Sequence, residues 1–201
     1  MTRVSRPGFG NRKSRFYSSN TVGLLILARY YTVRIMMGII PQKIFACFSV
    51  SMPQVESFVT AVRENETTNI PLGAAGYCWG GKHVVNLAHG KTAKSGKPLI
   101  DAAFVAHPSH LAIPDEIEKV MQPLSIAIGD NDLALKPAGV IQIKEILDRK
   151  VDVRSEVTVY PGARHGFAVR SNPGVEKEEK QAEEAREQAV NWLSFHFGKL
   201  K

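Results

Sequence analysis

The sequence predicts an α/β fold, a mostly parallel sheet flanked by helices, and three observations carry that prediction. From Ser51 onward, short apolar runs of strand length alternate with segments of helical period, the pattern of parallel strands joined by crossover helices. Residues 72–77 form a short apolar run suited to a strand buried at the centre of a sheet. At 201 residues, with 44% hydrophobic and 22% charged side chains, the chain can bury one sizeable core and has a globular composition.

The elements follow in order. Ser51 reads as a helix N-cap with Gln54 three residues on, and Val55, Phe58, Val59 and Val62 continue one apolar stripe until Asn69 and Pro71 break it. After the strand at 72–77, residues 81–89 resume helical spacing through Val84, Val85 and Leu87. A second strand is expected at about 99–106, and a short helix at 114–120 opens on proline and two acids, which suit a helix N-terminus. A third strand at 124–129 leads into a helix at 137–149. Val153, Val157 and Val159 mark a fourth strand. The closing helix, about 175–197, opens on a solvated charged run and ends with Val190, Trp192, Leu193, Phe195 and Phe197, which are expected to dock on the sheet.

The net charge of +7 is not spread over the fold. Residues 1–55 carry eight Lys/Arg and no Asp or Glu, leaving 18 basic against 19 acidic residues in the remainder. That distribution argues against a nucleic-acid-binding face. Residues 1–50 therefore read as an atypical basic N-terminal segment ahead of an α/β domain at 51–201. The segment overlaps the composition of a mitochondrial transit peptide, and none of its uncharged stretches reaches membrane-spanning length. Two cysteines, Cys47 and Cys78, point to a reducing compartment, the cytoplasm or alternatively the mitochondrion.

The most informative passage is Gly76-Tyr77-Cys78-Trp79-Gly80-Gly81, between the expected first strand and the following helix. It matches the G-x-nucleophile-x-G turn with cysteine as the nucleophile. Such a turn is tight and strained, so residues two positions either side are expected to be small, and Gly76 and Gly80 meet that need. The sulfur would sit at a helix N-terminus, where free N–H groups favour a thiolate, and the Trp79 amide would face a developing oxyanion. Cys47 lacks such surroundings and is expected to be inert.

A thiol attacking an ester needs a base, and His165 and His107 both follow strands at the edge where functional side chains gather. His165, in Tyr160-Pro161-Gly162-Ala163-Arg164-His165-Gly166-Phe167, is favoured: Pro-Gly makes a turn and Gly166 relieves crowding around the ring. His107 and His110 form only a weak H-x-x-H metal pattern without a third ligand, and His83, His89 and His196 fall on helices, partly exposed. For the acid, Gly129-Asp130-Asn131-Asp132 offers two candidates, Asp130 and Asp132, either of which could instead serve the turn.

With Gly-Tyr-Cys-Trp-Gly-Gly, Ala-His-Pro-Ser at 106–109, Gly-Asp-Asn-Asp and Tyr-Pro-Gly-Ala-Arg-His-Gly-Phe in this order, the chain resembles the dienelactone hydrolase family over about residues 52–197. The resemblance implies an α/β-hydrolase-like fold without a lid domain, no metal or organic cofactor, and hydrolysis of a lactone or small carboxylic ester. By motif position it implies Cys78 as nucleophile, Asp132 as orienting acid, His165 as base and the Trp79 amide as oxyanion donor. Family members hold the substrate carboxylate with arginines, and Arg170 lies one position from the expected place. The family also supplies, ahead of the elbow, a second oxyanion amide and a glutamate that contacts the thiol. No acid precedes Glu56 here, so that glutamate has no counterpart and an incomplete or divergent N-terminal part is expected. Two alternatives stand beside the hydrolase: a non-catalytic or truncated relative that binds a ligand or partner, and a redox-sensing cysteine protein. Substrate and oligomeric state are not legible.

Overall fold

The computed structural model describes residues 47–65 and 70–199. The expected basic segment at 1–50, apart from residues 47–50, and the helix-breaking Asn69 lie outside the described residues. The chain divides into two units, Met1–Ser51 and Met52–Lys201. The described elements are α1 (Phe48–Glu64), β1 (Gly73–Tyr77), α2 (Trp79–Leu87), β2 (Ala102–Ala106), α3 (Asp115–Glu118), β3 (Leu124–Asn131), α4 (Pro137–Arg149), β4 (Ser155–Arg164) and α5 (Glu176–Lys199). Among them no helix is long and apolar enough to cross a membrane.

The four strands form one parallel sheet in the order β1-β2-β3-β4. Gly73 lies beside Ala102, Ala103 beside Leu124, and Leu124 beside Ser155. Because every strand runs the same way, their carboxyl ends meet along one edge, carrying residues 78, 107, 132 and 165 within two positions of a strand end. β2, Ala-Ala-Phe-Val-Ala, is buried along its whole length, as a strand covered on both faces must be. On one face Phe104, Ala106, Ala127, Tyr160, Ala163 and Phe167 pack against Ala185, Ala189 and Trp192 of α5. α2 buries Val84, Val85 and Leu87, and α4 buries Val140, Ile143, Ile146 and Leu147 at helical spacing. Each large side chain so buried contributes about 1.5–3 kcal/mol.

Several expected boundaries move, each for a local reason. α1 begins at Phe48 and not at Ser51, whose hydroxyl donates to the Cys47 carbonyl (3.1 Å) one turn back, so Ser51 is not the N-cap. The second strand starts at Ala102, not at about residue 99. Leu99 and Ile100 are buried in the preceding loop, where the Leu99 amide donates to the Lys91 carbonyl (2.9 Å), so their apolarity reports burial and not strand pairing. α2 starts at Trp79, two residues early. α3 is shorter than expected, with Pro114 as its N-cap residue.

β4 leaves Val153 in a turn and runs through Pro161-Gly162, the expected turn, as far as Arg164. Its pairing with β3 slips there, between Gly129 and Asn131. Pro161 is tolerated because β4 is the outer strand of the described sheet and its missing N–H interrupts nothing on that side. At the end of α5, Trp192 is buried as expected, but Val190 is 54% and Phe195 40% exposed. The Arg154 guanidinium lies over the Phe195 ring at 4.0 Å, a partial cover for an aromatic left at the surface.

The tight corner between β1 and α2 places its demand for small residues differently from the expectation. A Cβ at position 76 would lie 2.6 Å from the Gly80 carbonyl oxygen and 2.7 Å from Val84 Cγ2. One at position 81 would lie 2.9 Å from Pro108 Cβ, whereas one at position 80 meets nothing within 4 Å. Gly76 and Gly81 carry the close approach, and Gly80 does not. Gly76→Ala is therefore expected to lower stability by about 1–3 kcal/mol, and Gly80→Ala to leave it unchanged or raise it by up to about 1 kcal/mol. Urea denaturation of the two variants beside the parent checks the contrast.

Candidate active site

Cys78 is the single residue between β1 and α2, and its backbone sits at φ 51°, ψ −123°. That region costs a non-glycine residue on the order of 1–3 kcal/mol, so surrounding bonds must hold it. The Cys78 amide donates to the Ala106 carbonyl (3.3 Å), and the Cys78 carbonyl accepts from the amides of Gly81 (3.1 Å) and Ser109 (3.0 Å). The corner is thereby tied to the end of β2 and to the chain that follows it. The sulfur stands at the start of α2, beside amides without intrahelical partners.

His107 follows β2 directly and is wholly buried. Its Nδ1 lies 3.3 Å from the Cys78 sulfur and 3.3 Å from the Cys78 backbone nitrogen, which donates to it. An Nδ1 that accepts from an amide carries no proton, so the ring proton is on Nε2, which has no hydrogen-bond partner among the described residues. Burial first, and then the nearby His165, push the His107 pKa down to about 4. The ring is neutral near pH 7.

His165 follows β4 and Asp132 follows β3. The His165 Nδ1 lies 2.9 and 3.0 Å from the two carboxylate oxygens of Asp132, whose side chain is fully buried and also accepts from the Ala134 amide (2.7 Å). With Nδ1–H held by the carboxylate, Nε2 keeps its lone pair free for chemistry. Asp130 turns elsewhere, accepting from the Gly162 amide (2.5 Å) where the β3–β4 pairing slips. The rings of His107 and His165 meet edge to face at 5.2 Å. One donor atom from each of Cys78, His107 and His165 lies within 4.8 Å of the other two.

Arg170, exposed, reaches over the same sulfur, its Nη2 donating at 3.7 Å. Gly166 makes that path possible: a Cβ there would lie 2.8 Å from the Arg170 Nη2. Its space serves the guanidinium and not, as expected, the imidazole. A cavity of about 180 Å³ opens beside His165, Phe167 and Arg170.

The remaining candidates stand apart. His110 is exposed and, among the described residues, lies outside the Cys78–His107–His165 group. His83 and His196, expected to be partly exposed, are buried, and His83 packs against the Trp79 ring at 4.2 Å. Cys47 is exposed, and hydrogen bonding with Ser49 lowers its thiol pKa. What sequence reasoning undervalued is His107. Its position directly after a strand, on the same edge as residue 78, was the available signal. The arrangement, a thiol between a neutral imidazole and a carboxylate-held one with a guanidinium above, can attack a carbonyl carbon and move the resulting proton.

The dienelactone hydrolase family model matches residues 46–197. Hydrolase pyvD of Aspergillus violaceofuscus is 31% identical over 150 residues, covering 73% of this chain and 58% of that protein. Hydrolase tropI of Talaromyces stipitatus is 33% identical over 124 residues, covering 61% of this chain and 45% of its own length. The chain thus spans about half the length of the curated relatives it matches. In structure it is similar to a dienelactone hydrolase-like promiscuous phosphotriesterase from metagenomic libraries, with a TM-score of 0.57, 17% identity, and coverage of 78% of this chain and 65% of that one. It is also similar to an α/β-hydrolase enzyme from a deep-sea metagenome library of the Medee basin, with a TM-score of 0.56, 15% identity, and coverage of 75% and 66%. These structural likenesses speak for the fold, an α/β-hydrolase sheet. With the family match extending over three quarters of its length, the chain belongs to the dienelactone hydrolase family.

Proposed function

We propose that the chain is a hydrolase of a lactone or small carboxylic ester, with Cys78 as nucleophile, His165 as base and Asp132 as the acid that orients it. The observation that carries the reading is the Asp132 carboxylate on His165 Nδ1, with the Cys78 sulfur on a strained corner of the same sheet edge. The sulfur attacks the ester carbonyl carbon, its proton passes to His165, and the carbonyl electron pair moves onto the oxygen, where the Trp79 amide steadies it. The carbon–oxygen ester bond then breaks, and the alkoxide takes the proton from His165. Water, deprotonated by the same ring, cleaves the thioester and restores the thiol. Arg170, which reaches over the sulfur, holds a substrate carboxylate in this reading.

Two imidazoles compete for the base, and their surroundings separate them. A base works best with a pKa near the operating pH. His107, held at about 4 and with no carboxylate on its Nε2 among the described residues, accepts a proton poorly. His165 has a buried carboxylate to compensate the charge it gains. His107 is assigned instead to fixing the sulfur through a hydrogen bond to its neutral ring.

Cys78→Ala should abolish hydrolysis of a small activated ester such as p-nitrophenyl acetate, and undiminished turnover in that variant would refute the assignment. His165→Ala should lower kcat by roughly 100-fold or more, and His107→Gln by less than about tenfold. The reverse ranking would make His107 the base. Stoichiometric labelling of Cys78 by iodoacetamide without any ester turnover would mark a ligand-binding relative.

The low pKa of His107 also sets a pH dependence of stability. Between its ordinary value of 6.5 and about 4, the unfolded chain binds a proton that the folded protein excludes. Stability should therefore fall as pH drops through that window and level off below it, a loss of order 3 kcal/mol from this group. Urea midpoints at pH 7 and 4.5 should diverge less in His107→Gln than in the parent.

A further inference from the structure

Beyond hydrolysis, the donor atoms of Cys78, His107 and His165 converge at the sheet edge as a set that also suits a metal ion. We propose that Cys78, His107 and His165 bind a thiophilic divalent cation, with Zn²⁺ as the type case, which masks the sulfur reversibly. Binding stands on geometry alone; only its consequence for turnover rests on the hydrolase reading above.

One sulfur and two imidazole nitrogens are the donors that select zinc over magnesium or calcium, and three protein ligands leave a fourth position for water. Tetrahedral zinc, with Zn–S of about 2.3 Å and Zn–N of about 2.0–2.1 Å, needs its ligand atoms roughly 3.3–3.6 Å apart. The Cys78 sulfur and His107 Nδ1 already stand 3.3 Å apart, and the group closes within 4.8 Å, so the remaining edges tighten by about 1.5 Å at most. On His107 the nitrogen facing the sulfur is the one without a proton, and its bond from the Cys78 amide is a long 3.3 Å.

On His165 the proton sits on the nitrogen facing Asp132, leaving Nε2 to ligate. A carboxylate holding the far nitrogen of a ligating histidine is the usual outer support of a zinc site. Charge balance agrees, since the thiolate and the buried Asp132 carboxylate together offset a divalent ion. Arg170 faces the sulfur with the opposite preference, and being exposed it can withdraw. On binding, the Cys78 thiol loses its proton to solvent as the sulfur–metal bond forms, and both rings ligate neutral, so occupancy rises with pH.

The test titrates the full chain, in a Cys47→Ser background, with Co²⁺ followed by absorption and with Zn²⁺ followed by calorimetry. One equivalent of each should bind, Co²⁺ with a thiolate charge-transfer band that Cys78→Ser removes. His107→Gln, His165→Ala and Asp132→Asn should each weaken Zn²⁺ binding about tenfold or more, while Arg170→Ala should tighten it. Circular dichroism establishes that each variant is folded. No thiolate band, or an affinity unmoved by both histidine substitutions, overturns the site. Ester turnover should fall with bound Zn²⁺ and return with EDTA, and turnover that persists at saturating Zn²⁺ overturns the masking. One-equivalent binding in a protein without any ester turnover leaves the metal site standing and removes the hydrolase reading, so the two fail separately.

Discussion

The site depends on the backbone of residue 78 being held in a conformation its side chain disfavours. At φ 51° a cysteine does not sit unaided, and hydrogen bonds to Ala106, Gly81 and Ser109 hold it there. Those bonds are available because the β1–β2 register brings Tyr77 beside Ala106, so the strands end together. Helix α2 can start at once only because Gly76 and Gly81 present no Cβ to Gly80, Val84 and Pro108. Release of this corner would carry the sulfur away from both imidazoles.

Around that sulfur two histidines of the same chemistry acquire opposite characters. His107 receives an amide proton at Nδ1, is wholly buried and lies beside a second imidazole, all of which favour its neutral form. His165 rests on a carboxylate that has no exposure of its own, so a positive charge there has a partner. The distinction comes from which strand end each ring follows: β2 ends in the middle of the sheet under α2 and Phe167, while β4 ends at the side where β3 delivers Asp132. Arg170 adds a cation over the sulfur from the solvent side. In the proposed readings the same sulfur serves either acyl transfer or a metal ion, and what separates the two uses is occupancy of the sulfur.

Much of the parallel sheet was legible because β2 and most of β3 are buried and its helices amphipathic, and α4 spans 137–149 as expected, whereas β1, expected as a buried central strand, is an outer strand of the described sheet with one buried residue. The misread boundaries share a cause. Leu99, Ile100 and Val153 are apolar without being strand, Ser51 resembles a cap without being one, and Pro161-Gly162 resembles a turn inside a strand. Local residue type reports burial and conformational permission. It does not report which neighbouring backbone supplies the hydrogen bonds, and that decided each case.

The nucleophile turn at Cys78 and a histidine after the fourth strand at His165 were readable in one dimension as local patterns, while Asp132 was implied by the family resemblance. The partition of the two acids was not: Asp130 and Asp132 differ only by two positions, and the slipped β3–β4 pairing turns one to the Gly162 amide and the other to His165. Nor could the chain alone place His107 against the sulfur, because that contact joins residues 29 apart through strand register. Composition and period specify which residues are buried and extended, whereas distances between side chains on different strands exist only once the sheet has aligned them.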